Sequence, residues 1–76
     1  MKYMKERNFV KEAFEEYHRE IKVSRIEILE STEDKDGNIN YVLFTDRFGD
    51  QYEVSKNRYG NYVINWQFWN IFVKFK

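Results

Sequence analysis

The stretch DKDGNINYVLFTDRFGDQYEVSKNRYGN, residues 34–61, decides the fold of this 76-residue chain. It contains all three glycines of the sequence, Gly37, Gly49 and Gly60, spaced twelve and eleven residues apart. Each glycine lies in a polar or mixed cluster, and runs rich in Tyr, Val, Ile and Phe separate the clusters. Turn signals at this spacing are typical of an antiparallel meander, in which each strand pairs with the next one along the chain.

The glycine turns also predict the register of the strands. A three-residue loop, built as a type I turn with glycine in the left-handed position, would connect each pair. Because opposed residues share a side of the sheet, one face then carries a set of apolar residues: Ile28, Val42, Phe44, Tyr52, Val54, Ile64 and Trp66. The other face is mostly polar: Glu27, Thr45, Gln51, Glu53, Asn65 and Gln67, with Leu29 and Leu43. We expect strands at residues 24–33, 39–46, 50–56 and 61–68.

An amphipathic helix is predicted before the sheet, from about Lys5 to Lys22. Apolar residues recur there at steps of three and four, which places them on one stripe: Val10, Ala13, Phe14, Tyr17 and Ile21. A helix of this length is marginal alone and must dock on an apolar surface. The fold class is therefore α+β, with the helix packed on the apolar face of a four-stranded meander, in a single domain spanning residues 1–76. His18 falls at the polar edge of the stripe and is interpreted as a surface residue.

The segment Trp69–Lys76 is out of phase with the last predicted strand. Apolar residues hold the even positions from Tyr62 to Phe68, and then the odd positions from Trp69 to Phe75. A strand changes parity only at a bulge, a bend or a break. The segment is thus a candidate fifth strand, a cover for the helix or a surface for another molecule, and a short helical turn at residues 66–70 is a further alternative.

Composition excludes several classes of protein. The chain has no cysteine and one histidine, which excludes disulfides and the usual zinc sites. Thirteen cations balance thirteen anions, which argues against a generic DNA coat or a polybasic membrane binder. The first residues contain no long apolar run, so no signal peptide or membrane span is expected, and a cytoplasmic location is predicted.

Catalytic and metal-binding patterns are not found in the sequence. No serine has a histidine partner at a plausible spacing, and no phosphate-binding loop or metalloprotease motif occurs. Asp46 and Asp50 flank the second loop and could together hold Mg²⁺ or simply face water, and we favour water. We therefore expect no enzyme activity, no cofactor, no metal and no small-molecule substrate.

The aromatic content, 20% of all residues, points to binding instead. So small a domain can hardly bury fifteen aromatic side chains, and exposed aromatics usually mark partner surfaces. The sequence predicts a small protein-interaction module, either an accessory protein of a phage or mobile element that inhibits or modulates a host or competitor protein, or a homodimer through its C-terminal segment. The predicted partner-binding residues are Phe48, Arg58, Tyr59, Trp69, Phe72, Lys74 and Phe75.

Single-stranded nucleic acid is the alternative partner. No acidic residue follows Glu53, and aromatics interleaved with cations can stack on bases while the cations follow the phosphates. This hypothesis uses Tyr41, Tyr59, Trp69 and Phe72 together with Lys56, Arg58, Lys74 and Lys76. The weak point of the hypothesis is a low density of positive charge.

Overall fold

A computed structural model describes residues 2–68 and 71–74, the last strand by its backbone alone. The described elements are one helix, one 3₁₀ turn and five strands: α1 (Met4–Glu16), the turn Val23–Arg25, β1 (Glu27–Glu33), β2 (Ile39–Thr45), β3 (Gln51–Lys56), β4 (Tyr62–Phe68) and β5 (Ile71–Lys74). The strands form one antiparallel sheet in the order β1-β2-β3-β4-β5, and α1 packs on one face. The predicted α+β class and the meander are confirmed.

The three hairpin turns have the same construction, as the glycine spacing predicts. We call them the first turn (34–38), the second turn (46–50) and the third turn (57–61). In each turn, the carbonyl of the first residue accepts a hydrogen bond from the glycine N–H, and the N–H of the first residue donates to the carbonyl of the fifth. The glycines have φ near +80°, the left-handed region where a residue without Cβ is favoured. The three-residue loops are therefore confirmed, and with them the pairing of Phe44 with Ile28 and Tyr52.

The core lies between the apolar stripe of α1 and the inner face of the sheet. The helix contributes Phe9, Val10, Ala13 and Phe14, and the strands contribute Ile39, Val42, Phe44, Val54, Tyr62 and Ile64. Aromatic rings join the two layers, since the Phe9 ring meets the Tyr62 ring edge-on at 5.1 Å between centroids. Burial of each large side chain is worth about 1.5–3 kcal/mol, so this interface provides most of the stability of a chain that lacks disulfides.

The helix ends six residues earlier than the sequence predicts, at Glu16 instead of Lys22. His18 adopts the left-handed conformation (φ 57°), its N–H donates to the Glu15 carbonyl, and the Arg19 N–H donates to the Phe14 carbonyl. These two bonds form a Schellman cap, in which the left-handed position is usually glycine. Histidine at that position is not a helix stop signal, so the residue pattern does not predict where the helix ends.

The chain between α1 and β1 also corrects the predicted start of the first strand. Residues 24 and 25 belong to the 3₁₀ turn, and β1 begins at Glu27. The Arg7 guanidinium holds this segment against the helix, because its Nη1 donates to the carbonyls of Val23 and Ile26. Ile21 still packs against the core, although it is not helical.

One residue of the predicted outer face, Leu29, does not have the predicted pairing, whereas Leu43, Glu53 and Asn65 do. Glu30, not Leu29, pairs with Leu43, because β1 contains an extra residue between Ile28 and Glu30. Leu29 is left 47% exposed at this bulge. A second irregularity further along the same pair of strands allows Ile39, an odd position, to join the even-numbered core residues of β2. No Gly or Pro marks either irregularity, so the sequence carries no signal for them.

The change of parity after Phe68 marks the start of a fifth strand. Backbone pairing places Ile71 opposite Phe68 and Val73 opposite Trp66, which confirms the fifth strand over residues 71–74. The alternative of a helical turn is wrong for residues 66–68, which belong to β4, and residues 69–70 lie outside the described residues. β1 and β5 are the edges of the sheet, and exposed glutamates line β1: Glu27, Glu30 and Glu33.

Candidate partner-binding site

Two of the predicted site residues, Phe48 and Tyr59, lie at the tips of turns and are 75% and 73% exposed. The sequence predicts that some of the aromatic residues in this set are exposed, and these two are. They do not form one surface, because consecutive turns of a meander lie at opposite ends of its strands. The intervening strand β3 has six residues, which separates the two turns by about 20 Å.

Both tips carry an arginine beside the aromatic ring. The Arg47 guanidinium lies 4.8 Å from the centre of the Phe48 ring, and that of Arg58 lies 5.0 Å from the centre of the Tyr59 ring. Arg58 also donates from Nη2 to the Tyr59 hydroxyl at 3.0 Å. Such cation–π contacts at exposed sites are worth about 0.5–1 kcal/mol. They hold both rings in place without burying them.

An apolar cavity of about 230 Å³ lies next to Phe48, and we call it the Phe48 cleft. It forms where the connection after α1 passes the second turn. Its apolar lining comes from three parts of the chain: Phe14 of α1, Ile21 and Ile26 of the connection, and Phe48 and Tyr52 around the second turn. Phe14 and Ile26 are each 5% exposed, so the cleft reaches the edge of the core.

Charged residues surround this apolar lining. Three are cations, Lys22, Arg25 and Arg47, and two are anions, Glu20 and Asp46. The Asp46 carboxylate serves its own turn, since Oδ1 accepts hydrogen bonds from the N–H groups of Phe48 and Asp50 at 2.8 and 3.0 Å. Within residues 2–68, none of the three cations forms an ion pair. The rim therefore has an excess of available positive charge.

Tyr52 links the cleft to the acidic residues of the second turn. Burial raises the pKa of its hydroxyl to about 12, and the nearby carboxylates of Asp46 and Asp50 act in the same direction. The hydroxyl therefore stays protonated at neutral pH and can donate to Asp46. One Asp46 oxygen is thus committed to the turn, and the Asp46 carboxylate acts as a structural acceptor. No group of three or more potential metal ligands occurs within the described part of the chain.

The cavity at the other end of the sheet has a different character. It is about 580 Å³, it lies between the start of α1 and the first and third turns, and its lining is mostly polar: Lys5, Asn8, Glu12, Asp34, Asn38, Asn40, Lys56 and Asn57, with Phe9, Ile39 and Tyr62. Its one deep hydroxyl is already used, because Tyr62 Oη donates to Glu12 Oε2 at 2.7 Å. Tyr59 is not part of this lining.

The residues of the nucleic-acid hypothesis are divided between two faces. Lys56 pairs with Tyr62 on the helix side, with its Nζ 4.8 Å from the centre of that ring. Tyr41 pairs with Ser55, the neighbour of Lys56, and therefore lies on the outer face. There its hydroxyl donates to Glu53 Oε2 at 3.1 Å, and burial together with Glu53 raises its pKa to about 12. A carboxylate beside the ring would repel a phosphate.

The predicted residues of the C-terminal segment are located only in part. Phe72 pairs with Gln67 and Lys74 with Asn65 along the backbone of β5. Trp69, Phe75 and Lys76 lie outside the described residues. Sequence reasoning missed the cleft residues Ile21, Lys22 and Arg25, because it assigned residues 5–22 to a helix and residues 24–33 to a strand.

Comparison with known proteins finds no match for this chain among protein-family models, curated proteins or solved structures. Across residues 2–68 and 71–74, no helix has the length and apolar character that crossing a bilayer requires.

Proposed function

We propose that this chain is a small non-enzymatic protein-interaction module whose partner docks at the Phe48 cleft. One observation carries the proposal: Phe48 is 75% exposed at the rim of a cavity that reaches buried Phe14 and Ile26. Covering a phenylalanine and the cleft beside it removes apolar surface from water, worth about 1.5–3 kcal/mol for the ring alone. Phenylalanine and arginine are both enriched at protein–protein interfaces relative to the rest of the protein surface.

The biological setting remains part of the proposal. Size and composition support an accessory protein of a phage or mobile element that modulates a host or competitor protein. The absence of cysteine fits a reducing compartment, and we place the protein in the cytoplasm. Nucleic acid is the less favoured partner, because Tyr41 and Lys56 lie on opposite faces of the sheet.

Site-specific photo-crosslinking tests the proposal. A benzophenone amino acid replaces Phe48 in one sample and Tyr59 in a matched sample, and each is irradiated in a lysate of the source cells. We expect a discrete crosslinked protein from position 48 and none from position 59. Unlabelled wild-type chain should compete with this product, whereas the Phe48→Ala variant should not. A product from position 59 alone, or no product from position 48, would contradict the proposal.

Self-association is a second candidate, favoured by the position of β5 at an edge of the sheet. Its sequence is Ile-Phe-Val-Lys, and an apolar edge strand presents unpaired backbone groups that can add another strand. Light scattering of the full chain from micromolar to millimolar concentration should then show a dimer. The Trp69→Ala, Phe72→Ala double variant should remain a monomer. A wild-type chain that is monomeric throughout this range removes the homodimer.

A further inference from the structure

The cations around the Phe48 cleft are more available to a ligand than the anions. Of the two anions, Asp46 is held by the backbone of the second turn, which leaves Glu20 as the one exposed carboxylate of the lining. The three cations come from different segments, Lys22 and Arg25 from the connection and Arg47 from the second turn. All three are exposed. An incoming carboxylate would therefore find cations on two sides of the apolar lining.

The size of the cleft restricts what can fill it. Binding sites for small molecules usually measure about 300–1,000 Å³. The Phe48 cleft, at about 230 Å³, is below that range and fits one large side chain. The exposed ring of Phe48 extends the apolar surface beyond the cavity, so a side chain inside the cleft could be covered by its neighbours in a peptide.

We infer that the occupant of the Phe48 cleft is an acidic segment of another protein. The segment inserts one aromatic or large aliphatic side chain between Phe48 and Ile26, and its flanking carboxylates pair with Arg25 and Arg47. This inference rests on the proposed function and adds the chemistry of the partner. The charge complementarity between an acidic segment and the three rim cations selects this occupant over a neutral or basic one.

Three small probes separate binding of the aromatic ring in the cleft from pairing of a carboxylate with the rim cations. At about pH 6, N-acetyl-L-phenylalanine is an anion, N-acetyl-L-phenylalaninamide is neutral and L-phenylalaninamide is a cation, while the ring is the same in all three. Each is titrated into ¹⁵N-labelled full chain at low salt, and amide shifts are followed by NMR. We expect shifts at the amides of Ile21, Ile26 and Phe48, with the anion binding about threefold to tenfold more tightly than the neutral probe, as one or two exposed ion pairs would give.

Matched charge variants separate local pairing from net charge. The Arg25→Gln, Arg47→Gln variant should lose the preference for the anion and still bind the neutral probe. The Lys35→Gln, Arg58→Gln variant removes the same charge from the first and third turns at the other end, and it should keep the preference. Equal loss in both variants would overturn the inference, because the anion would then be responding to net charge.

The remaining outcomes distinguish the inference from the proposed function. The neutral probe could bind as tightly as the anion while position 48 still gives its selective crosslink. The proposal that a partner docks at the Phe48 cleft would then be supported, and the inference that this partner is acidic would be wrong. If no probe shifts the cleft amides at 20 mM, the cleft is not a docking site. If an oligothymidylate displaces the anionic probe, the inferred occupant of the cleft would be a nucleic acid and not an acidic protein segment.

Discussion

The second and third turns have the same backbone and related sequences, but the apolar Phe48 cleft adjoins the second turn, whereas the cavity that reaches the third turn is mostly polar. Asp-Arg-Phe-Gly-Asp and Asn-Arg-Tyr-Gly-Asn both place an arginine beside an exposed ring. The difference lies in the neighbouring chain. The connection after α1 passes the second turn and supplies Ile21 and Ile26, whereas the surroundings of the third turn are mostly polar. The local sequence of a turn determines its shape, and a distant segment determines whether the turn can form part of a binding site.

The largest difference between the two turns should appear in partner binding when the ring of Phe48 or of Tyr59 is removed. Phe48→Ala should weaken partner binding about 30-fold or more, the effect of losing a hot-spot residue. Tyr59→Ala should change it less than threefold. Both residues are exposed, so the free energy of unfolding should stay within about 0.5 kcal/mol of the wild type in each variant. Titration calorimetry with the crosslinked partner gives the affinities, and urea denaturation gives the stabilities. Equal losses of affinity would place the site elsewhere.

The first residue of each turn should differ in its contribution to stability. Asp46 Oδ1 and Asn57 Oδ1 each accept two backbone N–H groups at 2.8–3.1 Å, but only Asp46 carries a charge. Charged acceptors contribute about 1.5–3 kcal/mol and neutral ones about 0.5–1.5 kcal/mol. Asp46→Ala should therefore destabilise the chain more than Asn57→Ala. Urea midpoints at pH 7 measure both, and a reversed order would show that the charge is not what strengthens the second turn.

Replacing the glycine should cost the two turns the same free energy of unfolding. Gly49 and Gly60 have φ of +87° and +81°, and a Cβ added to either would meet no atom within 4 Å. The cost of alanine is then backbone strain alone, about 1–2 kcal/mol at each site. Gly49→Ala and Gly60→Ala should lower the free energy of unfolding by the same amount. A difference larger than about 0.5 kcal/mol would mean that the turns differ in more than their surroundings.

Alkaline pH should give the smallest effect, and Tyr52 contributes to it at the cleft end. Burial also raises the pKa of Tyr41 on the outer face and of Tyr62 beside the third turn, so part of the alkaline loss of stability arises there. The pKa of Tyr52 is raised to about 12, so the folded chain holds this proton more tightly than the unfolded chain, whose tyrosines titrate near pH 10. The resulting stabilisation is complete below pH 10 and is lost as the pH rises from 10 to 12. In urea titrations across this range, Tyr52→Phe should reduce the loss. A loss of stability in Tyr52→Phe equal to that of the wild type would show that Tyr52 does not contribute.

Much of the fold is predictable from the sequence because the strongest signals are local. Three glycines at regular spacing specify three equal turns, and these turns fix which residues face α1. The predictions were wrong where the backbone departs from ideal geometry at residues that give no signal. His18 ends the helix in the left-handed conformation, which glycine usually adopts at this position. Leu29 lies in a β-bulge that contains no glycine or proline.

The candidate site was predictable only in its exposed half. The exposure of Phe48 is predictable because so small a domain can hardly bury fifteen aromatic side chains. The other half of the cleft comes from residues 20–26, whose position depends on the early end of α1 and on the contacts of Arg7. Those contacts join residues 16 and 19 positions apart, so no local pattern in the sequence reports them.

The order of the strands has a consequence for how the chain folds as it is made. Each strand pairs with its neighbour in sequence, so the contacts are short-range and the sheet can form rapidly, one hairpin at a time. The helix is synthesised first, but part of the surface that covers it, Tyr62 and Ile64, belongs to β4. An isolated helix of thirteen residues is unstable in water. Stable docking of α1 therefore waits until β4 has left the ribosome, and rapid hairpin formation shortens the time for which its apolar stripe is exposed.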